Sequence, residues 1–253
     1  MKMVKSFVKK YWVTALIFTG LVALYYVSTE SGKANPFLFP KVESIGAAFA
    51  SDKDLMGANL FASFKMMVPA VLISLTIALA LGTFLGLNKK AREALHPVIY
   101  TFSVVPAILL SPFVLLMAPN MFTASIILIV YSTVWSTLFA TITGIQTIDK
   151  RYLDKAATLE LKGFQKFFKV ILPAASPSIL AGFVNSLRNT FIMLVYAEMY
   201  GAQYGMGYYV KKFADFGLYN KVWLGFVFMV IVMVIVMQFF EKLKERLLKW
   251  TIN

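Results

Sequence analysis

DKAATLELKGFQKFFKVILP, residues 154–173, is an amphipathic, basic segment set between two of the most apolar stretches of the chain. Phe164, Phe167, Phe168 and Ile171 recur at i, i+3, i+4 and i+7, the spacing of one helical face, while Gln165, Lys166 and Lys169 fall on another. Leu153, Ala156, Ala157 and Leu161 make a similar stripe just upstream. Gly163 separates the two stripes, where a residue free to adopt positive φ ends one helix and starts the next at an angle. Pro173 is expected to break the chain before the following apolar run. The segment at about 150–172 therefore reads as two short helices in an elbow.

What surrounds the elbow decides where it lies. Of 253 residues 59% are hydrophobic and only 15% charged, and the mean hydropathy is +0.73, which marks an integral membrane protein. A transmembrane helix needs about 20 mainly apolar residues. Spans are expected at about 11–27, 59–87, 98–117, 121–144, 174–200 and 222–240. The third and fourth share a run without Asp, Glu, Lys or Arg between Glu93 and Asp149, folded into a hairpin by a tight turn at Ala118-Pro119-Asn120. The fold class is thus an all-α integral membrane protein of six transmembrane helices, one domain over 1–253. Residues between Ser28 and Gly57 read as an external loop with a short interfacial helix, and the first span, which lacks a small-x-small cleavage site, reads as retained.

Six crossings put both termini on one side, and the basic residues say which. Seventeen of the 25 Lys and Arg, including the Lys2–Lys10 cluster, the elbow and the Lys242–Lys249 tail, fall on the side of the termini, against six on the other. Lys and Arg favour the cytoplasm, so both termini and the elbow are cytoplasmic. The same topology accounts for the net charge of +13, which no nucleic-acid signature accompanies. With no cysteine and His96 as the single histidine, neither a thiolate nor a multi-histidine metal site is expected, and no cofactor. No predicted span buries a carboxylate near its middle, which speaks against an ion-coupled carrier. No phosphate loop is present either, so the energy for any work comes from another subunit. On periodicity alone the elbow is either a helix pair resting on lipid headgroups or a docking element for a soluble protein.

Lys155-Ala156-Ala157, then Gly163, then Ile171-Leu172-Pro173 resembles the EAA loop of the inner-membrane permeases of binding-protein-dependent ABC importers, with lysine in place of the glutamate and I-L-P in place of I-x-L-P. Further segments are similar to the nitrate, sulfonate and taurine branch of that family. These are Pro40-Lys41-Val42, Ser63-Phe64-Lys65, Gly82 to Leu87, Val105-Pro106-Ala107 with Ser111-Pro112, Ala197 to Gly201, Tyr204 to Tyr208, and Glu241 to Trp250. The tryptophan-phenylalanine-glycine element expected after the third span is replaced by Ala118 to Phe122.

The resemblance implies the type I importer permease fold in a bacterial cytoplasmic membrane. It also implies two permease copies forming a path, by default a homodimer, with two cytoplasmic ATP-binding subunits below and an external solute-binding protein. ATPase contacts would then come from Lys155, Ala156, Ala157, Leu159, Glu160, Gly163, Phe164 and Phe167. The translocation path is expected at Arg188, Asn185 and Asn189, with Pro106 and Ser111 of the proline-marked third span. Arg188 alternatively anchors helix packing. An external gate or binding-protein contact is expected at Glu198, Tyr204, Gly205, Gly207 and Tyr208, an ordinary external loop being the alternative. Gly82 and Gly86 read as helix packing, and Lys65 as reaching the interface. A channel or carrier working alone, or a scaffold that recruits a soluble partner, are the other readings.

Overall fold

The computed structural model describes residues 2–251, with side chains from Trp12 to Trp250, so the N-terminal lysines lie outside the described side chains. Ten α-helices follow one another, and no strand is present among the described residues. They are α1 (Lys2–Glu30), α2 (Val42–Leu87), α3 (Lys89–Val104), α4 (Ala107–Met117), α5 (Met121–Gln146), α6 (Lys150–Thr158), α7 (Gly163–Lys166), α8 (Leu172–Gly201), α9 (Met206–Asp215) and α10 (Tyr219–Leu247). Five helical runs are long and apolar enough to cross a membrane, and there are six if α3 and α4, which pass the same test together across a short break, count as one bent span.

The core is α5 held between α2 and α8. Lipid is as apolar as leucine, so helices in a bilayer associate by close packing and buried hydrogen bonds rather than by hydrophobic burial. The sequence supplies both. A Cβ on Gly82 would lie 2.6 Å from Thr141 Cβ, and one on Gly86 2.9 Å from Ile145 Cβ, so α2 lies directly against α5. On the opposite side of α5, a Cβ on Gly182 would meet Ala140 Cβ at 2.2 Å and the Ser136 carbonyl at 2.8 Å. The buried Thr133 and Thr190 hydroxyls join α5 to α8 at 2.9 Å.

The third span is not straight. It breaks at Val105-Pro106, and α3 and α4 meet at 89°. Proline disfavours the helical region for the residue before it, and Val105 is extended with φ −70° and ψ 119°. Pro112, by contrast, sits inside α4 without ending it. At 1.5 Å per residue α4 is only about 16 Å long, too short to cross a hydrocarbon core of about 30 Å by itself. The expected turn at Ala118–Asn120 is present, and the Asn120 carboxamide caps α5 by accepting the Thr123 N–H at 2.8 Å.

Two expectations change outside the bilayer. The polar stretch before Gly57 is not a loop with a separate interfacial helix; α2 runs unbroken from Val42, about 69 Å in all, and its first turns extend beyond the membrane. Asp52, one of the charged residues of that stretch, is 6% exposed and satisfied by partners remote in sequence. Likewise Pro173 does not break the chain. Residues Gly163–Gly201 form one helical run, in which Phe167–Ile171 is a π-turn and Pro173 falls in the first turn of α8. The wider turn draws back the carbonyls that a proline ring would strike.

An aromatic layer closes the outer side. Tyr25 of α1 donates its hydroxyl to the Pro40 carbonyl at 2.7 Å, and Trp223 of α10 donates to Leu38 O at 2.8 Å. The rings of Tyr25 and Trp223 are 5.0 Å apart and those of Phe37 and Tyr219 4.9 Å. Below this layer α1 is almost unpacked, with Trp12, Leu16, Phe18, Leu21 and Val22 all exposed.

Candidate functional site

On the cytoplasmic side, Asp149 caps α6 by accepting the Arg151 N–H, and the Arg151 guanidinium beside it holds its carboxyl below the usual range. α6 stops at Thr158. Glu160, at φ +52°, takes the left-handed conformation that usually falls to glycine after a helix. Gly163 follows at φ +50° and opens α7, so the bend expected at one glycine is shared between two residues. Lys155, Ala157, Leu159 and Phe164 are exposed, Leu159 at 61% and Phe164 at 83%. Ala156 is turned inward at 1%, so only Ala157 of the alanine pair faces out.

The aromatic stripe does not stay on one face. Phe164 and Phe168 stack with centroids 6.5 Å apart on the outside, whereas Phe167 packs with Ile145, Ile171 and Ala175. Phe167 still meets Phe168 edge to face at 5.0 Å, and from Phe167 onward the wider period of the π-turn carries Ile171 inward, away from Phe164. Between the elbow and the C-terminal segment lies a cleft of about 410 Å³ lined by Tyr152, Lys155, Lys169, Pro173 and Trp250.

At the level of the bilayer, Asn185, Arg188 and Asn189 are all exposed on α8, in line with Ala181 and Ile192. Among the described residues no hydrogen bond or ion pair engages the Arg188 guanidinium. Asn189 and Pro106 line one cavity of about 380 Å³, together with Tyr131, Ser132 and Trp135 of α5. The proline break thus opens a space beside α8. Ser111 is not part of it: its hydroxyl is buried, donates to Ile108 O at 2.7 Å and meets the Tyr196 hydroxyl at 3.0 Å, which ties α4 to α8.

At the outer end, Tyr204 is 71% exposed and Tyr208 half-buried, but Glu198, Gly205 and Gly207 are buried. Glu198 is 0% exposed, and its Oε2 accepts the Gly207 N–H at 2.7 Å. These three are an internal junction beneath the surface that Tyr204 presents. The residues completing the junction escaped the sequence reading. Asn59 Oδ1 accepts the Gly205 N–H at 2.9 Å, and Ser63 Oγ the Met206 N–H at 2.9 Å. Asp52 accepts from the Tyr209 hydroxyl at 2.9 Å and from Lys221 Nζ at 2.8 Å. Burial and then the Asp52 carboxylate push the Tyr209 phenol up, so it stays a donor at neutral pH. A signal was present: Asp52, Asn59 and Ser63 fall at i, i+7 and i+11, one face of a helix, and a polar face on an otherwise apolar helix implies polar partners. Lys65, on a different face, is exposed beside an outer cleft of about 470 Å³.

Comparison with known proteins agrees with this architecture. The chain is 28% identical to the putative aliphatic sulfonates transport permease protein of Bacillus subtilis over 249 residues, covering 96% of this chain and 89% of that one. It is 25% identical to the nitrate import permease protein of Synechocystis, over 72% of this chain and 66% of the relative. Among solved structures, a chain of the MetNI methionine ABC transporter superposes with a TM-score of 0.63 at 14% identity, over 75% of this chain and 94% of that one. An amino acid ABC transporter superposes at 0.55 with 18% identity, over 79% of this chain and 95% of that one. At such identities these likenesses establish the fold, that of the type I ABC importer permeases. Residues 74–249 match the family described as binding-protein-dependent transport system inner membrane component. The chain therefore belongs to that family and is the multi-pass inner-membrane permease subunit of an ABC importer.

Proposed function

We propose that two copies of this chain form a path for a small anion, with the Asn185, Arg188 and Asn189 face of α8 turned toward the path. The observation that carries this reading is the exposure of all three side chains at mid-span, with no partner for Arg188 among the described residues. A guanidinium facing lipid costs several kcal/mol, about 2.5–3.5 even on insertion scales, so such a face turns to protein or water. A second copy related by a two-fold axis supplies both at once. The charge favours an anionic solute, and relatives named for aliphatic sulfonates and for nitrate handle anions.

ATP hydrolysis is assigned to two cytoplasmic partner chains and solute capture to an external binding protein. The elbow is the part that the ATPases grip. Phe164 and Leu159 supply an exposed apolar tip, and Lys155, Lys162 and Lys166 surround it. A membrane helix pair resting on headgroups buries its aromatic residues in the interface, whereas a tip projecting from a rigid bend suits a protein groove.

The test is ATP-driven uptake into liposomes by the complete transporter. Arg188→Gln is expected to lower the rate at subsaturating solute by about tenfold, equivalent to about 1.4 kcal/mol, and Arg188→Lys to recover part of it. Wild-type uptake by Arg188→Gln overturns the assignment of the path.

A further inference from the structure

The junction at the outer end of α8 has a mechanical consequence. Gly205, φ +121°, precedes α9, and the N–H groups of Gly205, Met206 and Gly207 point into the protein rather than to water. Three side chains receive them: Asn59 and Ser63 from α2, and Glu198 from α8. Of the two Glu198 oxygens, Oε2 takes the Gly207 N–H, while the buried Oε1 has no hydrogen-bond partner among the described residues. A carboxylate at a helix N-terminus is favoured by the unpaired N–H groups and by the helix dipole. The fit leaves no slack. A Cβ on Gly205 would lie 2.4 Å from Glu198 Cδ, and one on Gly207 2.5 Å from Val195 O and 2.9 Å from Glu198 Cβ.

We propose that Glu198 is a positioning residue that locks α9 to α8, so that the external surface and the cytoplasmic elbow are two ends of one rod. The rod is the helical run Gly163–Gly201, 39 residues and about 58 Å long, with Phe164 at its inner end and Glu198 near its outer end. α9 is also held to α2 through Asn59, Ser63 and the Tyr209–Asp52 bond, and Lys221 ties α10 to the same Asp52, so Glu198 is the hydrogen-bonding link that brings α8 into this outer junction. The surface that a binding protein meets is the loop in front of α9. Gln203 and Tyr204 stand there between two clefts, of about 470 and 380 Å³, and both residues line each cleft. Pressure on this loop is transmitted through the Gly207–Glu198 contact to α8 and along it to the ATPase. Glu198 touches neither solute nor nucleotide; it fixes the angle between the loop and the rod. This inference rests on the coupling role proposed above for the elbow.

The experiment measures ATP hydrolysis by the reconstituted transporter with and without solute-loaded binding protein and takes the ratio. Glu198→Ala is expected to bring the ratio close to one. Glu198→Gln, which keeps an acceptor oxygen for the Gly207 N–H, is expected to retain at least half of the wild-type ratio, and Ser63→Ala to lower it in part. A wild-type ratio in Glu198→Ala overturns the proposal. Where Glu198→Ala does not assemble with the ATPase, Glu198→Asp, whose carboxylate falls one methylene short of the Gly207 N–H, carries the same test, and an unchanged ratio there overturns it equally. The chain has no cysteine, so Tyr204→Cys adds a second readout. Its labelling rate by an impermeant maleimide should change on nucleotide trapping in the otherwise wild-type chain, and not in Glu198→Ala; a change that persists in Glu198→Ala overturns the proposal. A wild-type transporter that shows no stimulation and no uptake overturns instead the transport reading on which the inference rests.

Discussion

At the scale of single residues, the smallest side chains set the architecture. Gly182 permits α8 to approach α5 until the missing Cβ would overlap Ala140 Cβ at 2.2 Å. In lipid no hydrophobic term rewards a looser contact, so what holds the pair is dispersion at close range and the Thr133–Thr190 hydrogen bond. Gly182→Val would force the two backbones apart, and overpacking of this kind costs about 1–3 kcal/mol. The purified chain carrying Gly182→Val is accordingly expected to unfold in detergent at a temperature several degrees below that of the parent. An unchanged midpoint would show that the interface has room the distances deny. Gly20, with nothing within 4 Å of its added Cβ, is the matched control.

Among the elements, the elbow and α8 act together, because no break separates α7 from α8. The direction in which Phe164 points is therefore fixed by the membrane helix rather than by a flexible joint. The joint lies before it, at Glu160 and Gly163, the two positive-φ positions. Proline holds φ near −65°, so Gly163→Pro cannot adopt the conformation that opens α7. That substitution is expected to leave the chain inserted and the ATPase fold intact, but to abolish solute-dependent uptake. Phe164→Ala removes only the apolar tip and should weaken co-purification of the ATPase. Uptake by Gly163→Pro at the parent rate would refute the coupling role of the bend.

The whole molecule is open on two sides. One is the polar face of α8; the other is α1, whose apolar side chains pack against almost nothing below Tyr25. The second is stable in lipid as it stands, since apolar side chains there need no partner. The first is not, because uncompensated Arg and Asn at mid-span require protein or water. The same asymmetry predicts where a second copy docks. In a two-fold arrangement, a residue near the axis lies close to its own counterpart. In the cysteine-free chain, single replacements Asn185→Cys and Ile192→Cys on α8 are expected to form disulfide-linked dimers in native membranes, whereas Phe18→Cys on α1 is not. Cross-linking through α1 and not α8 would place the path elsewhere.

The sequence by itself determined what depends on composition and period. Apolar run lengths marked five to six candidate crossings, the Lys and Arg asymmetry set the direction expected of them, and the elbow was legible as an amphipathic, bent interruption. Such features need no knowledge of which helix lies beside which. Tertiary structure decided whatever depends on neighbours. Asp52 looked like loop chemistry until Tyr209 and Lys221 satisfied it inside the protein. Pro173 looked like a break until a π-turn absorbed it, and the proline-marked third span bends by 89° at Val105-Pro106. Glu198 carried no mark distinguishing a surface gate from a buried junction, because its role depends on a backbone N–H, that of Gly207, and backbone donors look the same in every residue but proline. Only the fold determines which of them lack a partner.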